Sequence, residues 1–146
     1  LIAALEKIKS YLDYGAFTPI QVAAASALSS DPSTIAKVRE VYKKRRNVLV
    51  DAMSKAGWEI PSPDATMFAW APIPEKFKSL GSLEFSKVLL KEADISVAPG
   101  IGFGEYGENF VRIGLVENEH RIRQAARNIK AVFTKADKIL SDHSPN

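Results

Sequence analysis

The chain has 146 residues, 46% of them hydrophobic and 25% charged, and twenty Lys and Arg against seventeen Asp and Glu leave a formal charge of +3. That is room for one ordinary domain with a real core and is not a disordered composition. The absence of cysteine excludes a disulfide framework and a thiolate metal site and makes a reducing, cytoplasmic setting the expectation.

Ile2, Leu5, Ile8 and Leu12 follow helical spacing from the first residues, so the chain opens in mid-element and is expected to be cut from something longer. Gly15 suits the left-handed position that ends such a helix. Thr18-Pro19-Ile20-Gln21 reads as a capping box with proline at the first helical position, and the small residues from Val22 to Leu28 suit close packing of the helix that follows. Asp31-Pro32 repeats the start signal. Ile35, Val38, Tyr42, Leu49, Ala52, Met53 and Ala56 then form one stripe until Gly57 stops it. About 25 residues at 1.5 Å each make roughly 37 Å, so this helix is expected to run between two domains, with segments on either side of Ser30 in different ones. Within it Lys43-Lys44-Arg45-Arg46 is the one basic run, and without interleaved aromatics it reads as a solvated helix face, not a nucleic-acid patch.

Trp58 to Asp64, with Pro61 and Pro63, is a loop or short edge strand. Met67 to Ala71 alternates as a strand, Phe68 and Trp70 on one face and Met67, Ala69 and Ala71 on the other, with Pro72 and Pro74 ending it. Ser82 is the expected cap of a helix whose Leu83, Val88, Leu89, Leu90 and Ala93 face a core. Ile95 to Ala98 and Phe110 to Leu115 are strand candidates around a glycine-rich loop. Asn118 caps a last helix carrying Ile122, Ala125, Ala126, Ile129, Val132, Phe133 and Ala136 at helical spacing, and Ser141 to Asn146 is a polar tail. The fold expected is α/β: a small sandwich with a short mixed or antiparallel sheet covered by helices and entered through the long helix.

Arg112 stands out in its strand. Period two puts Val111, Ile113 and Leu115 on one face and Phe110, Arg112 and Gly114 on the other. A guanidinium is too costly to bury unpaired, so Arg112 meets water, a protein carboxylate or a ligand anion; a solvated or ion-paired arginine and a fork for a carboxylate or phosphate are both open. Gly102-Phe103-Gly104-Glu105-Tyr106-Gly107 matches G-x-G-x-x-G literally, but a strand follows it where a dinucleotide site requires a helix to open, so no such site is expected. No run reaches the roughly 18 apolar residues of a membrane span. His120 and His143 lack metal-ligand spacing, so no metal is expected.

Ile95-Ser96-Val97-Ala98-Pro99-Gly100-x-x-Phe103-Gly104-x-x-Gly107, followed by Val111-Arg112-Ile113-Gly114-Leu115, resembles the carboxy-terminal part of the class I/II aminotransferases, enzymes that use pyridoxal phosphate. Three further stretches agree in order: Lys9 to Gly15 with Thr18 to Gln21, Pro63 to Trp70, and Glu117-Asn118-Glu119-x-Arg121-Ile122. The Asp-Tyr-Gly and Met-Phe-x-Trp pieces look most like the alanine and diaminopimelate branch.

The resemblance implies that residues 1–30 are a remnant of the large cofactor-binding domain and that residues 31–140 are the small domain, with 141–146 as tail. It implies an amino acid and a 2-oxo acid as substrates, a homodimer, and Arg112 as the arginine that binds the substrate α-carboxylate. Tyr14 and Thr18 would face the neighbouring subunit's site. The lysine that forms the Schiff base with the cofactor has no matching position here; Lys87, in Phe85-Ser86-Lys87, reads as a surface residue. No catalytic residue is therefore assigned, and the chain alone is expected to be inactive and not to bind the cofactor. The competing reading is a free-standing module that binds a small carboxylate or serves as an interaction domain.

Overall fold

Alternation along two short runs builds the sheet. In a computed structural model describing residues 1–12 and 15–142, strands β1 (Phe68–Pro72), β2 (Ala98–Pro99) and β3 (Phe110–Gly114) form an antiparallel sheet in the order β1-β3-β2. Trp70 and Ala98 lie opposite Arg112 from the two sides. Ala69, Ala71, Val111 and Leu115 are buried beneath the sheet, while Phe68, Trp70, Phe110 and Arg112 lie on its other face. The run Ile95 to Val97 is a correction to the expected strand. Only Ala98 and Pro99 pair with β3, because Ile95 and Val97 turn into the core cluster from irregular backbone just after the helix ends.

Residues 1–37 and 38–146 are two compact units, and the division falls inside a helix. The first unit holds α1 (Ile2–Leu12), α2 (Thr18–Ser29) and the start of α3 (Ser33–Lys55). Asp31 accepts hydrogen bonds from the Ser33 amide and hydroxyl at the entrance to α3. The capping box at Thr18 is not formed: Thr18 is the first residue of α2 and makes no cap bond, and Gln21 donates to the Ala16 carbonyl instead. With Pro19 in the first turn there is one amide fewer to satisfy there.

In the second unit α3 ends as Gly57 requires, at φ +90°. The Gly57 amide donates to Ser54 O (2.9 Å) and the Trp58 amide to Met53 O (2.9 Å), a Schellman closure whose apolar partners Met53 and Trp58 are both buried. Trp58 anchors the core from an otherwise irregular segment. Its indole packs edge-on to Phe85 and against Phe133, and Nε1 donates to Pro72 O at 2.7 Å.

The covering helices are α4 (Gly81–Ala93), α5 (Glu119–Thr134) and α6 (Ala136–Asp142). Asn118 caps α5 as expected, accepting from the Arg121 amide at 3.0 Å. The apolar stripe of α4 is Phe85, Val88, Leu89 and Ala93, whereas Leu83 and Leu90 point outward. They lie off the i, i+3, i+4 face that Phe85 sets. Ser141 and Asp142, expected in the tail, belong to α6. Among the described residues no helix is long and apolar enough to cross a membrane, and no cluster of metal-ligating side chains occurs.

Candidate functional site

The open face of the sheet presents one charge among rings. Arg112, half-buried on the central strand, holds its guanidinium carbon 4.3 Å from the centre of the Phe68 ring and 4.5 Å from that of Phe103. Phe68 comes from β1 and Phe103 from the short helical turn Gly100–Phe103 after β2, so the two rings reach Arg112 from opposite sides of β3. Trp70 closes the group, edge-on to Phe103 and stacked on Phe110, both with centroids 5.6 Å apart.

The rings attract the cation through their electron-rich faces and displace water from it, but they accept none of its N–H groups in a fork geometry. Among the described residues no carboxylate lies within ion-pair distance of Arg112. A half-desolvated guanidinium without an acidic partner is chemically suited to an incoming carboxylate or phosphate, which it can grip with two parallel hydrogen bonds.

Two features fix this arrangement from below. Arg45 of α3 donates from Nη1 to the carbonyls of Leu115 (3.0 Å) and Val116 (3.1 Å), tying down the end of β3, and its Nε is buried without a partner. The basic run is thus not wholly a solvated face. Arg45 follows Tyr42 by three residues and precedes Leu49 by four, so the helix turns it inward with them. The loop itself crosses on glycine: a Cβ at Gly100 would strike the carbonyl oxygens of Gly107 and Phe110, and one at Gly107 that of Gly100. These glycines serve close backbone approach, and a four-residue and then a three-residue helical turn, followed by β3, replace the helix a dinucleotide site requires.

Of the other candidates, Thr18 is exposed at the start of α2 in the first unit, and Tyr14 lies outside the described residues. Phe103 and Arg45 escaped residue-by-residue reading. Phe103 is marked only by its place in the Pro-Gly-x-x-Phe-Gly run, and Arg45 by its heptad-like position between Tyr42 and Leu49.

A cleft of about 490 Å³ lies on the other side of β3, lined mainly by apolar residues such as Leu49, Met53, Ile113 and Ile122. Arg112 is not among its walls. The lysines do not form a sheltered imine site. Every one is exposed, and Lys44, Lys55, Lys78 and Lys87 lie within ion-pair distance of Glu119, Asp51, Glu75 and Glu84.

An antiparallel sheet covered by helices on one face and showing a ring-flanked arginine on the other defines a small α/β domain. The chain belongs to the aminotransferase class I and II family, whose profile matches residues 1–129. It is 67% identical over 140 residues to the protein AatC of Rhizobium meliloti (strain 1021), covering 96% of this chain and 35% of that protein. It is 54% identical over 140 residues to the glutamate-pyruvate aminotransferase AlaC of Escherichia coli (strain K12), covering 96% and 34%. Among solved structures, substrate-bound BacF from Bacillus subtilis superposes with a TM-score of 0.77 at 32% identity, over 90% of this chain and 33% of that one. The chain thus spans about a third of the length of these relatives and matches their carboxy-terminal part. Members of the family use pyridoxal phosphate.

Proposed function

We propose that this chain is the carboxylate-reading part of an aminotransferase that moves an amino group between an amino acid and a 2-oxo acid, with Arg112 as the fork for the α-carboxylate. The observation that carries this is the Arg112 guanidinium held between Phe68 and Phe103 with, among the described residues, no carboxylate beside it. Both substrates of such a reaction carry the same carboxylate, so one fork serves amino donor and keto acceptor alike. Two parallel N–H bonds fix the plane of the carboxylate and with it the direction of Cα, and the surrounding rings keep water from competing.

The cofactor supplies an electron sink when bound. The residues here do not fit it, since an imine-forming lysine has to be sheltered and every lysine of this chain is exposed. The chain is proposed to leave that chemistry to other parts of the enzyme. Tyr14 and Thr18 are proposed, as the family resemblance implies, to face the site of a second subunit in a homodimer.

Lysine in place of Arg112 keeps the charge and loses the planar donor pair. In the complete enzyme Arg112→Lys is expected to lower kcat/KM by roughly 10- to 1000-fold, about 1.4 to 4 kcal/mol, with little change in melting temperature, and Arg112→Ala to lower it further. Near-normal kinetics in folded Arg112→Ala would remove Arg112 from the site.

A further inference from the structure

The loop that delivers Phe103 is held by one carboxylate and one hydroxyl. Glu108, at the end of the loop, accepts from the Ser82 amide through Oε1 (3.1 Å) and from the Ser82 hydroxyl through Oε2 (2.8 Å). The Ser82 Oγ in turn accepts from the Ile101 amide at 3.1 Å. Ser82 is fully buried in the first turn of α4, and its carbonyl accepts from the Ser86 hydroxyl at 2.7 Å.

The polarity of this chain of bonds is determined throughout. A carboxylate has no proton to give, so the Ser82 hydroxyl donates to Glu108, and its lone pairs are left for the Ile101 amide. The connection runs from the end of the loop, through the rigid start of α4, back to a residue two positions before Phe103. Phe103 itself is 53% exposed, so burial does not fix its ring. Its position over Arg112 and against Trp70 depends on where the loop backbone stands.

We propose that Glu108 and Ser82 are positioning residues for the carboxylate site: they set the loop so that Phe103 flanks the Arg112 fork, and through it they set the affinity for the carboxylate of the substrate. The inference rests on Arg112 being that fork. Neither residue touches the substrate. Their effect passes through Phe103, which gives a signature that a purely structural role lacks.

The test is a double-mutant cycle in the complete enzyme, read as KM for the amino acid and as kcat, with melting temperature measured on the same preparations. Phe103→Ala, Glu108→Ala and Ser82→Ala are each expected to raise KM by about 3- to 30-fold, the range of a partly desolvated cation–ring contact, with a smaller change in kcat. Glu108→Ala added to Phe103→Ala is expected to raise KM no further. Glu108→Gln keeps an acceptor for the Ser82 amide but turns the second contact into a donor; it should recover most of the KM. Should Glu108→Ala not fold, the cycle is run with Glu108→Gln, which must show the same coupling at smaller amplitude. Additive effects of Glu108 and Phe103, or lowered melting with unchanged KM, would overturn the proposal while leaving the fork intact. If Arg112→Lys leaves KM and kcat/KM unchanged, the fork reading fails and this inference falls with it.

Discussion

Arg112 owes its place to two forces of different origin. Period-two geometry puts it on the open face of β3 whatever surrounds it, and the rings of Phe68 and Phe103 then hold the guanidinium short of full hydration. The first was legible from the run Phe110 to Leu115, and so was the shared face of Phe68 and Trp70. The second was not, because Phe103 reaches Arg112 by a loop return, and such a return leaves no periodic trace. Asp31 shows the opposite case, a local signal that reads directly. Its side chain accepts from the Ser33 hydroxyl and amide, which lower its pKa from the ordinary value of 3.8. A carboxyl depressed in the folded state contributes stability above its unfolded pKa and loses it as pH falls through the folded value. The start of α3 is therefore expected to fray in acid below about pH 4. Protection of the Ser33 to Ala36 amides, taken relative to the intrinsic exchange rate at each pH, should fall in that window, and Asp31→Asn should flatten the profile. An unchanged profile in the variant would show that another group governs it.

Elements were legible where their own residues close them and illegible where a neighbour does. The end of α3 follows from Gly57 and the Met53–Trp58 contact, all within six residues. The strand expected at Ile95 is limited to Ala98–Pro99 because pairing depends on β3, and Leu83 and Leu90 face outward, against expectation, because the partner of α4 sets which stripe is inside. The glycine-rich loop is the sharpest instance. Gly100 and Gly102 look equivalent in the sequence, yet a Cβ at Gly100 meets two backbone carbonyls while one at Gly102 meets nothing within 4 Å. Neither lies at positive φ, so only space separates them. Gly100→Ala is expected to cost about 2 to 4 kcal/mol, since backbone cannot yield as a side chain does. Gly102→Ala should stay within about 0.5 kcal/mol of the parent. Denaturant melts of both variants decide it, and a tolerated Gly100→Ala would mean that the loop does not cross its own backbone in solution.

At the scale of the molecule, the chain divides into two compact units between Lys37 and Val38, inside α3. Within the first unit α1 carries Ile2, Leu5, Ile8 and Leu12 along one exposed stripe. Exposed apolar surface of this kind favours association. The chain by itself is therefore expected to self-associate with rising concentration, and light scattering that shows a monomer at all concentrations would count against it. In the proposed function Arg112 supplies charge and geometry for a carboxylate, but an amino-group transfer also needs a lysine whose amine is sheltered and free to condense with an aldehyde. Each lysine here is exposed, and among the described residues Lys44, Lys55, Lys78 and Lys87 sit beside carboxylates. Exposed lysines condense with an aldehyde weakly and reversibly, and they do so without stoichiometry. Titration of this chain with pyridoxal phosphate is thus expected to give a visible absorbance that does not saturate at one equivalent and is lost on dialysis, with no keto-acid-dependent turnover. A saturable band that survives dialysis, with turnover, would place a functional lysine within these 146 residues and move the active site onto this chain.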